Sequence, residues 1–382
     1  MLDLTRQYAR IRPEILAAIE AVCASSHYVL GEDVAAFEKE LATLTGAAEA
    51  VGCASGTDAL WLALVAAGVQ PGDAVATTPF SFFASASAIV RAGATPVFVD
   101  IDPKSFNVDP VALKKKLRAG KSAKLKALLP VHLYGQCADM DALGALANEF
   151  QLVVIEDAAQ AIGADWHGSR AGSLGSAAAF SFYPTKNLSA YGDAGAVTTM
   201  DPQWAEHMRR LRNHGSPRRY VHEEMGWNSR LDSIQAAILR VKMRYIAEWN
   251  EARRERAAAY DRLLTEAGLV SPPERDSSPM SLPWRDSRAR HVFHQYVVRT
   301  RQRDELRAFL SKRGIGSEVY YPIPLHQQTC FAYLGYREGD FPEAELAARE
   351  VLALPMFPEL LLDEQECVVT AIAEFFNSPR RH

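Results

Sequence analysis

The feature that most constrains this chain is an alternation running through its first half. Short apolar runs at 50–53, 74–77, 96–99, 127–131 and 152–155 are interleaved with stretches of helical periodicity at 57–67, 84–91 and 140–150. Apolar runs without polar alternation suit strands buried on both faces, and connections of helix length suit parallel crossovers. The pattern predicts an α/β domain with a mainly parallel sheet and right-handed crossovers, so that helices cover both faces. Two amphipathic helices, at 12–22 and 32–44, are expected to precede it. From 177 to 200 the apolar pieces are short and separated by glycines, and helical signals follow at 203–213 and, much longer, at 231–267. The proline-, serine- and charge-rich stretch 271–287 reads as a boundary loop. A strand at 292–298 and helices at 303–312, 343–353 and 364–376 then suit a smaller α+β domain. A length of 382 residues fits two such units, taken here as 1–250 and 251–382.

Composition removes several function classes. A formal net charge of -4 gives no reason to expect bulk nucleic-acid or membrane binding. The five cysteines are scattered without C-x-x-C spacing, which argues against a disulfide framework and a zinc site and fits a reducing cytoplasm. The N-terminus opens without an apolar targeting segment, and no run is long enough to span a bilayer. His291 and His294, two apart on an expected strand, are poorly spaced for a metal pair, and no metal is expected. The basic run 114–118 reads as a solvated helix face.

The chemistry concentrates at the expected strand ends. After the aromatic run Phe180-Ser181-Phe182-Tyr183, Pro184 stops the ladder and Lys186 follows in a turn. Beside an apolar strand such an amine loses hydration, its pKa falls, and it can attack an aldehyde to form a Schiff base. Ser181 is placed to reach a phosphate. Ser55-Gly56-Thr57-Asp58 sits where a strand turns into a helix, and helix N-termini hold phosphate on free N–H groups. In Glu156-Asp157-Ala158-Ala159-Gln160, an acid at the carboxyl end of a strand could pair with a protonated ring nitrogen, and Gln160 could bond a ring oxygen. Pro79-Phe80-Ser81-Phe82-Phe83 supplies aromatics, one of which could stack on a planar ring. Each piece alone also fits a plainer role as surface lysine, helix cap or core aromatic. Together, in this order, they describe a pyridoxal phosphate site. The pairs Arg209-Arg210 and Arg218-Arg219 bracket Asn213-His214-Gly215 and could meet a diphosphate.

With these motifs the sequence resembles the DegT/DnrJ/EryC1/StrS family of pyridoxal-phosphate sugar aminotransferases. The resemblance runs from Leu4 to about Pro358 and includes SGTDAL at 55–60, EDAAQ at 156–160, SFYPTKNL at 181–188, Asn228-Ser229-Arg230-Leu231-Asp232, Tyr321-Pro322-Ile323-Pro324-Leu325-His326 and Leu354-Pro355-Met356-Phe357-Pro358. It implies an aspartate-aminotransferase-like fold (fold type I) and a homodimer with shared active sites. It also implies that Lys186 is the Schiff-base lysine, Asp157 the partner of the pyridine nitrogen, Gln160 the partner of the ring oxygen and Phe82 the stacking ring. Gly56, Thr57 and Ser181 would hold the phosphate, with Asn228 reaching in from the second subunit. Tyr321, His326 and Arg230 fall on the substrate side. The activity implied is transamination from an amino donor, glutamate, to a nucleotide-linked ketosugar, in amino-sugar and polysaccharide biosynthesis.

The run Lys186-Asn187-Leu188-Ser189-Ala190-Tyr191-Gly192-Asp193-Ala194-Gly195 resembles K-N-L-G-A-x-G-D-G-G of members that aminate carbon 3, departing at Ser189 and Ala194. C4 amination is the alternative, and a non-catalytic regulator that kept fold and cofactor is a second. A dehydratase relative would carry histidine at the position of Lys186, and a nicotinamide enzyme would need a G-x-G-x-x-G after its first strand, which is absent.

Overall fold

The apolar runs become strands of one sheet. In a computed structural model that describes residues 1–119, 124–270 and 278–377, they are β1 (Glu49–Cys53), β2 (Ala74–Thr77), β3 (Thr95–Phe98), β4 (Leu125–Leu128) and β5 (Val153–Asp157). A short hairpin, β6 (Asp165–Trp166) and β7 (Ser169–Arg170), leads to β8 (Ala177–Ser181) and β9 (Gly195–Thr199). The seven-stranded sheet has the order β1-β9-β8-β5-β4-β2-β3 and is parallel except for β9, which runs against both β1 and β8. β2 and β9 are buried along their whole length, as strands covered on both faces must be.

Helices cover the sheet. α1 (Leu4–Ser25) and α2 (Glu32–Thr45) come first; α3 (Gly56–Ala66), α4 (Ala84–Arg91), α5 (Pro110–Arg118) and α6 (Met140–Glu149) are crossovers. Their starts are written locally: Ser55, Asp109 and Asp139 each accept a first-turn amide on the side chain, and Pro110 supplies a preset φ. α7 (Pro202–Leu211), α8 (Ser233–Met243) and α9 (Ile246–Glu266) follow.

The C-terminal part carries β10 (Ala289–Arg290), which joins β6 and β7, and β11 (Tyr296–Arg299), which pairs antiparallel with β12 (Val351–Leu354). Around that pair lie α10 (Arg303–Lys312), α11 (Pro342–Glu350) and α12 (Leu362–Asn377). It is tied to the large sheet at definite atoms. Asp100, just past β3, accepts from the amides of Glu343 (3.1 Å) and Ala344 (3.0 Å) and so caps α11.

Several boundaries differ from the sequence expectation. α1 begins eight residues earlier, because Asp3 caps it and the helix continues through Pro13. The helical signal expected over 231–267 is two helices, broken at Arg244-Tyr245. The signal at 343–353 ends at Glu350, because the next four residues pair with β11. Residues 250 and 251 both lie inside α9, so no break in secondary structure marks the expected boundary. Part of the expected boundary loop, 271–277, lies outside the described residues. In the basic run, Lys116 departs from the solvated face and sits over the rings of Tyr336 (5.4 Å) and Phe341 (5.6 Å).

Candidate active site

The site is assembled at the carboxyl ends of β1, β5 and β8, where open α/β sheets leave a crevice. β9 draws two of these ends together, because Gly195 faces both Cys53 of β1 and Ser181 of β8. The consequence is a close approach of backbone to backbone. A Cβ on Gly56 would lie 2.6 Å from Cβ of Ser181, and one on Gly195 would run into the carbonyl of Ser55. Both positions therefore require glycine. The N-terminus of α3 is left facing Ser181, with Ser55 Oγ accepting from the Asp58 amide at 3.1 Å. Thr57 is half-buried in that first turn. Free N–H groups and a helix dipole face the Ser181 hydroxyl there, an arrangement that suits a phosphate.

Along β5 the side chains alternate, and Glu156 and Asp157 therefore do different work. Glu156 faces inward with no exposure and accepts from the amides of Gly172, Leu174 and Gly175 at 2.8–2.9 Å. It also meets His132 Nε2 at 3.0 Å; since His132 Nδ1 accepts from the Ala138 amide, Nε2 carries the proton. Glu156 is a structural anchor for the 172–175 turn. Asp157 instead accepts from Ser85 Oγ at 2.6 Å and from the Ala159 amide at 3.2 Å. Burial pushes its carboxyl pKa up, while those two donors and the nearby charge of Lys186 pull it back down.

Lys186 lies in a turn, its amide donating to the Tyr183 carbonyl at 2.8 Å. Its side chain is half-buried, and desolvation pushes the amine down to about 8, against the opposing pull of Asp157. Gln160 is buried and fixed at both ends: Oε1 accepts from the Tyr134 amide (2.7 Å), and Nε2 donates to the Tyr321 hydroxyl (3.1 Å). Tyr321 in turn lies 6.1 Å from the ring of Phe82 and 6.4 Å from that of Phe80. Of the aromatics after β2, Phe80 is core, whereas Phe82 is 57% exposed and has a ring free to stack.

Three expected residues stand apart from this cluster. Asn228 is exposed, bridged to Asn213, and Arg230 donates to the Asn213 side chain at 3.2 Å. His326, expected on the substrate side, is buried in the single chain. Its ring is 3% exposed, with Nε2 at 3.1 Å from Glu345 of α11, because the fold turns it into the C-terminal part while Leu325 bonds Pro79. Of the four arginines, Arg209 and Arg210 are engaged by Glu49 and Glu224, leaving Arg218 and Arg219 exposed.

The structure also adds residues that the sequence reading missed. Ser85, in the first turn of α4, is the nearest partner of Asp157, and Ser81, in the bend before that helix, bonds Ser85 at 2.8 Å. Asn187 is buried beside Lys186, donating to Asn250 (2.8 Å) and to the Val292 carbonyl (3.2 Å) and meeting His294 Nδ1 at 3.2 Å. His291 and His294 are buried separately, and no three potential metal ligands cluster among the described residues.

Comparison with known proteins gives this geometry its context. Residues 9–373 match the DegT/DnrJ/EryC1/StrS aminotransferase family. The chain belongs to that family. It is 52% identical to a "Pleiotropic regulatory protein" of Geobacillus stearothermophilus, over 98% of both chains. It is 43% identical to a UDP-N-acetyl-3-dehydro-alpha-D-glucosamine 3-aminotransferase of Acidithiobacillus ferrooxidans, over 97% of this chain and 96% of that one. Among solved structures, Streptomyces venezuelae DesV superposes with a TM-score of 0.92 at 43% identity, over 99% of this chain and 98% of that one.

Family membership makes this chain a pyridoxal-phosphate-dependent transaminase of the α/β type. The residues present fit the cofactor. The cradle is too tight for any Cβ at Gly56, an exposed aromatic flanks the crevice, and the buried carboxylate of Asp157 gains from a cation beside it. No helix among the described residues is long and apolar enough to cross a membrane.

Proposed function

We propose that this transaminase moves an amino group from glutamate to carbon 3 of a ketosugar carried on a nucleoside diphosphate. In this reading it works in the cytoplasm as a homodimer with shared sites. The observation that carries the site is the opposition of Lys186, its amine near 8, to the buried Asp157 beside a glycine-walled helix N-terminus. Bound pyridoxal phosphate supplies an aldehyde carbon for amine capture and a ring that takes up electrons from the substrate carbon. The protein's share is placement and proton handling. The amine of Lys186 would hold that carbon, would give it up to the nitrogen of the amino donor, and, once free, would carry the proton between substrate and cofactor carbons. Asp157, oriented by Ser85, keeps the ring nitrogen protonated. Gly56, Thr57 and Ser181 hold the phosphate, Gln160 the ring oxygen, and Phe82 stacks on the ring face. Tyr321 borders the substrate side through its bond to Gln160. Asn228, exposed in the single chain, acts from a second copy, and Arg230 borders the substrate side.

Carbon 3 is supported by the A. ferrooxidans relative's name and by the run Lys186-Asn187-Leu188-Ser189-Ala190. The test incubates the protein with glutamate and a panel of 3-keto and 4-keto nucleotide sugars, reading products by mass and the aminated carbon by NMR. Product aminated at carbon 3 is expected, and Lys186→Ala should abolish it; a product aminated only at carbon 4 overturns the assignment. The name of the G. stearothermophilus relative favours a second reading, a regulator that keeps the cofactor without turnover. Glutamate alone separates the two, because only the enzyme converts its bound cofactor to the amine form.

A further inference from the structure

We infer that Lys242 is a positioning residue for Lys186, holding the loop 187–192 against α8 through Ser189 and Tyr191. The inference rests on Lys186 being the cofactor's anchor. Lys242 is 1% exposed, far below what a lysine adopts without a dedicated partner. Its Nζ lies 2.8 Å from the Ser189 carbonyl, 2.7 Å from Ser189 Oγ and 4.6 Å from the centre of the Tyr191 ring. Three N–H donors of an ammonium therefore meet a carbonyl, a hydroxyl and a π face.

Burial pushes this amine down to about 7, with Glu359 acting the other way. The neutral amine keeps the same partners, because its lone pair can accept a hydrogen bond from the Ser189 hydroxyl while its N–H groups donate to the carbonyl and the ring. The clamp thus holds in both protonation states. A buried apolar chain of the same volume would be less costly to fold, so the polar head needs a reason in the loop it grips.

That loop begins one residue after Lys186, whose Nζ has no hydrogen-bond or ion-pair partner among the described residues. The direction of the amine is consequently set by its flanks. Upstream, Phe182 bonds the Ala194 carbonyl at 2.8 Å. Downstream, α8 provides the grip. Gln235 exchanges two bonds with the Tyr191 backbone (2.8 and 3.0 Å), and Lys242, seven residues on and so on the same helix face, takes Ser189. Tyr8 of α1 closes on the Tyr191 ring at 6.0 Å.

The test uses cofactor-loaded wild type, Lys186→Ala, Lys242→Met, Ser189→Ala and the Lys242→Met/Ser189→Ala double variant. The pH midpoint of the bound cofactor's visible band and the kcat and KM for the amino donor are measured. Lys242→Met should shift that midpoint and lower kcat about tenfold, with donor KM within about twofold, because a displaced reacting group loses rate rather than binding. Ser189→Ala should move the same quantities less, and the double variant should match Lys242→Met alone, since the two side chains act as one contact. If Lys242→Met does not fold, Ser189→Ala decides: a shifted midpoint supports the inference and an unchanged one overturns it. Unchanged midpoint and kcat in a folded Lys242→Met also overturn it. A visible band surviving in Lys186→Ala would instead remove Lys186 as anchor, a separate failure.

Discussion

A lysine whose amine is half neutral near pH 8 is a nucleophile at ordinary pH, and burial is the main cause at Lys186. Capture of an aldehyde by the apoprotein should therefore accelerate as pH rises through about 8, measurable by stopped-flow absorbance on adding pyridoxal phosphate. Asp157 opposes that shift, so Asp157→Asn should move the midpoint below 8; a midpoint that rises would contradict the charge relation. Folding lowers this pKa from an ordinary 10.5, so the folded chain binds fewer protons between 8 and 10.5. The group's contribution to stability is least favourable below that window and improves as pH climbs through it. The cradle gives a second residue-scale expectation. Gly56→Ala places a methyl 2.6 Å from Ser181 Cβ, which should weaken cofactor affinity at least ~10-fold and destabilise by about 1–3 kcal/mol. Adding Ser181→Gly removes the clashing atom and should recover part of the stability by urea titration, while cofactor affinity by dialysis stays low because the phosphate-holding hydroxyl is lost with it. Much of this site was legible because each functional side chain sits at an abrupt change of pattern: Lys186 after Pro184, Asp157 in the acidic pair that ends four apolar residues, Gly56 before an apolar helix. Ser85, Asn187 and Lys242 were not legible. Their partners are 72, 63 and 53 residues away in the chain, and nothing local marks a serine, asparagine or lysine as buried.

At the scale of elements, legibility followed the strength of the local stop signal. Strands β1 to β5 were found to within a few residues, since an uninterrupted apolar run has few other uses. The end of α11 was misplaced because Val351–Leu354 is apolar and continues the helical pattern, and only pairing with β11 makes it a strand. The break between α8 and α9 was missed for a similar reason, as Arg244 and Tyr245 are both acceptable helix residues. The start of α7, written with an aspartate and a proline, was placed within a residue, whereas α5, with the same start signal, entered the sequence reading only through its basic run 114–118. One cap lies beyond any local reading: Asp100 accepts from the first-turn amides of α11, 243 and 244 residues away. Asp100→Ala should cost about 1 kcal/mol, the usual worth of an N-cap, seen as a lower urea midpoint with unchanged slope. Asp100→Asn, which keeps an acceptor, should recover most of it.

At the scale of the whole molecule, the proposed homodimer makes a demand that a single chain would not meet. Exposed apolar side chains gather at Tyr28, Val29 and Leu30, at Tyr183 and Tyr191 beside the lysine loop, and at Tyr220, Met225 and Trp227 just before Asn228. Exposed large apolar residues in these segments are the kind of surface a partner covers. On the shared-site reading, Asn228 completes the cradle of the other copy, and in the single chain it is bridged to Asn213 and exposed to solvent. The reading makes a quantitative demand. Lys186→Ala and Asn228→Ala homodimers should each be nearly inactive, the first for want of the amine and the second for want of the phosphate contact. When they are mixed in equal amounts and allowed to exchange subunits, half the dimers are hybrids, and each hybrid holds one intact site and one carrying both lesions. Activity should rise to roughly a quarter of wild type, as two-fold symmetry requires. If both homodimers are inactive and mixing restores nothing despite verified exchange, Asn228 serves its own chain's site, and the exposed apolar residues then need another occupant.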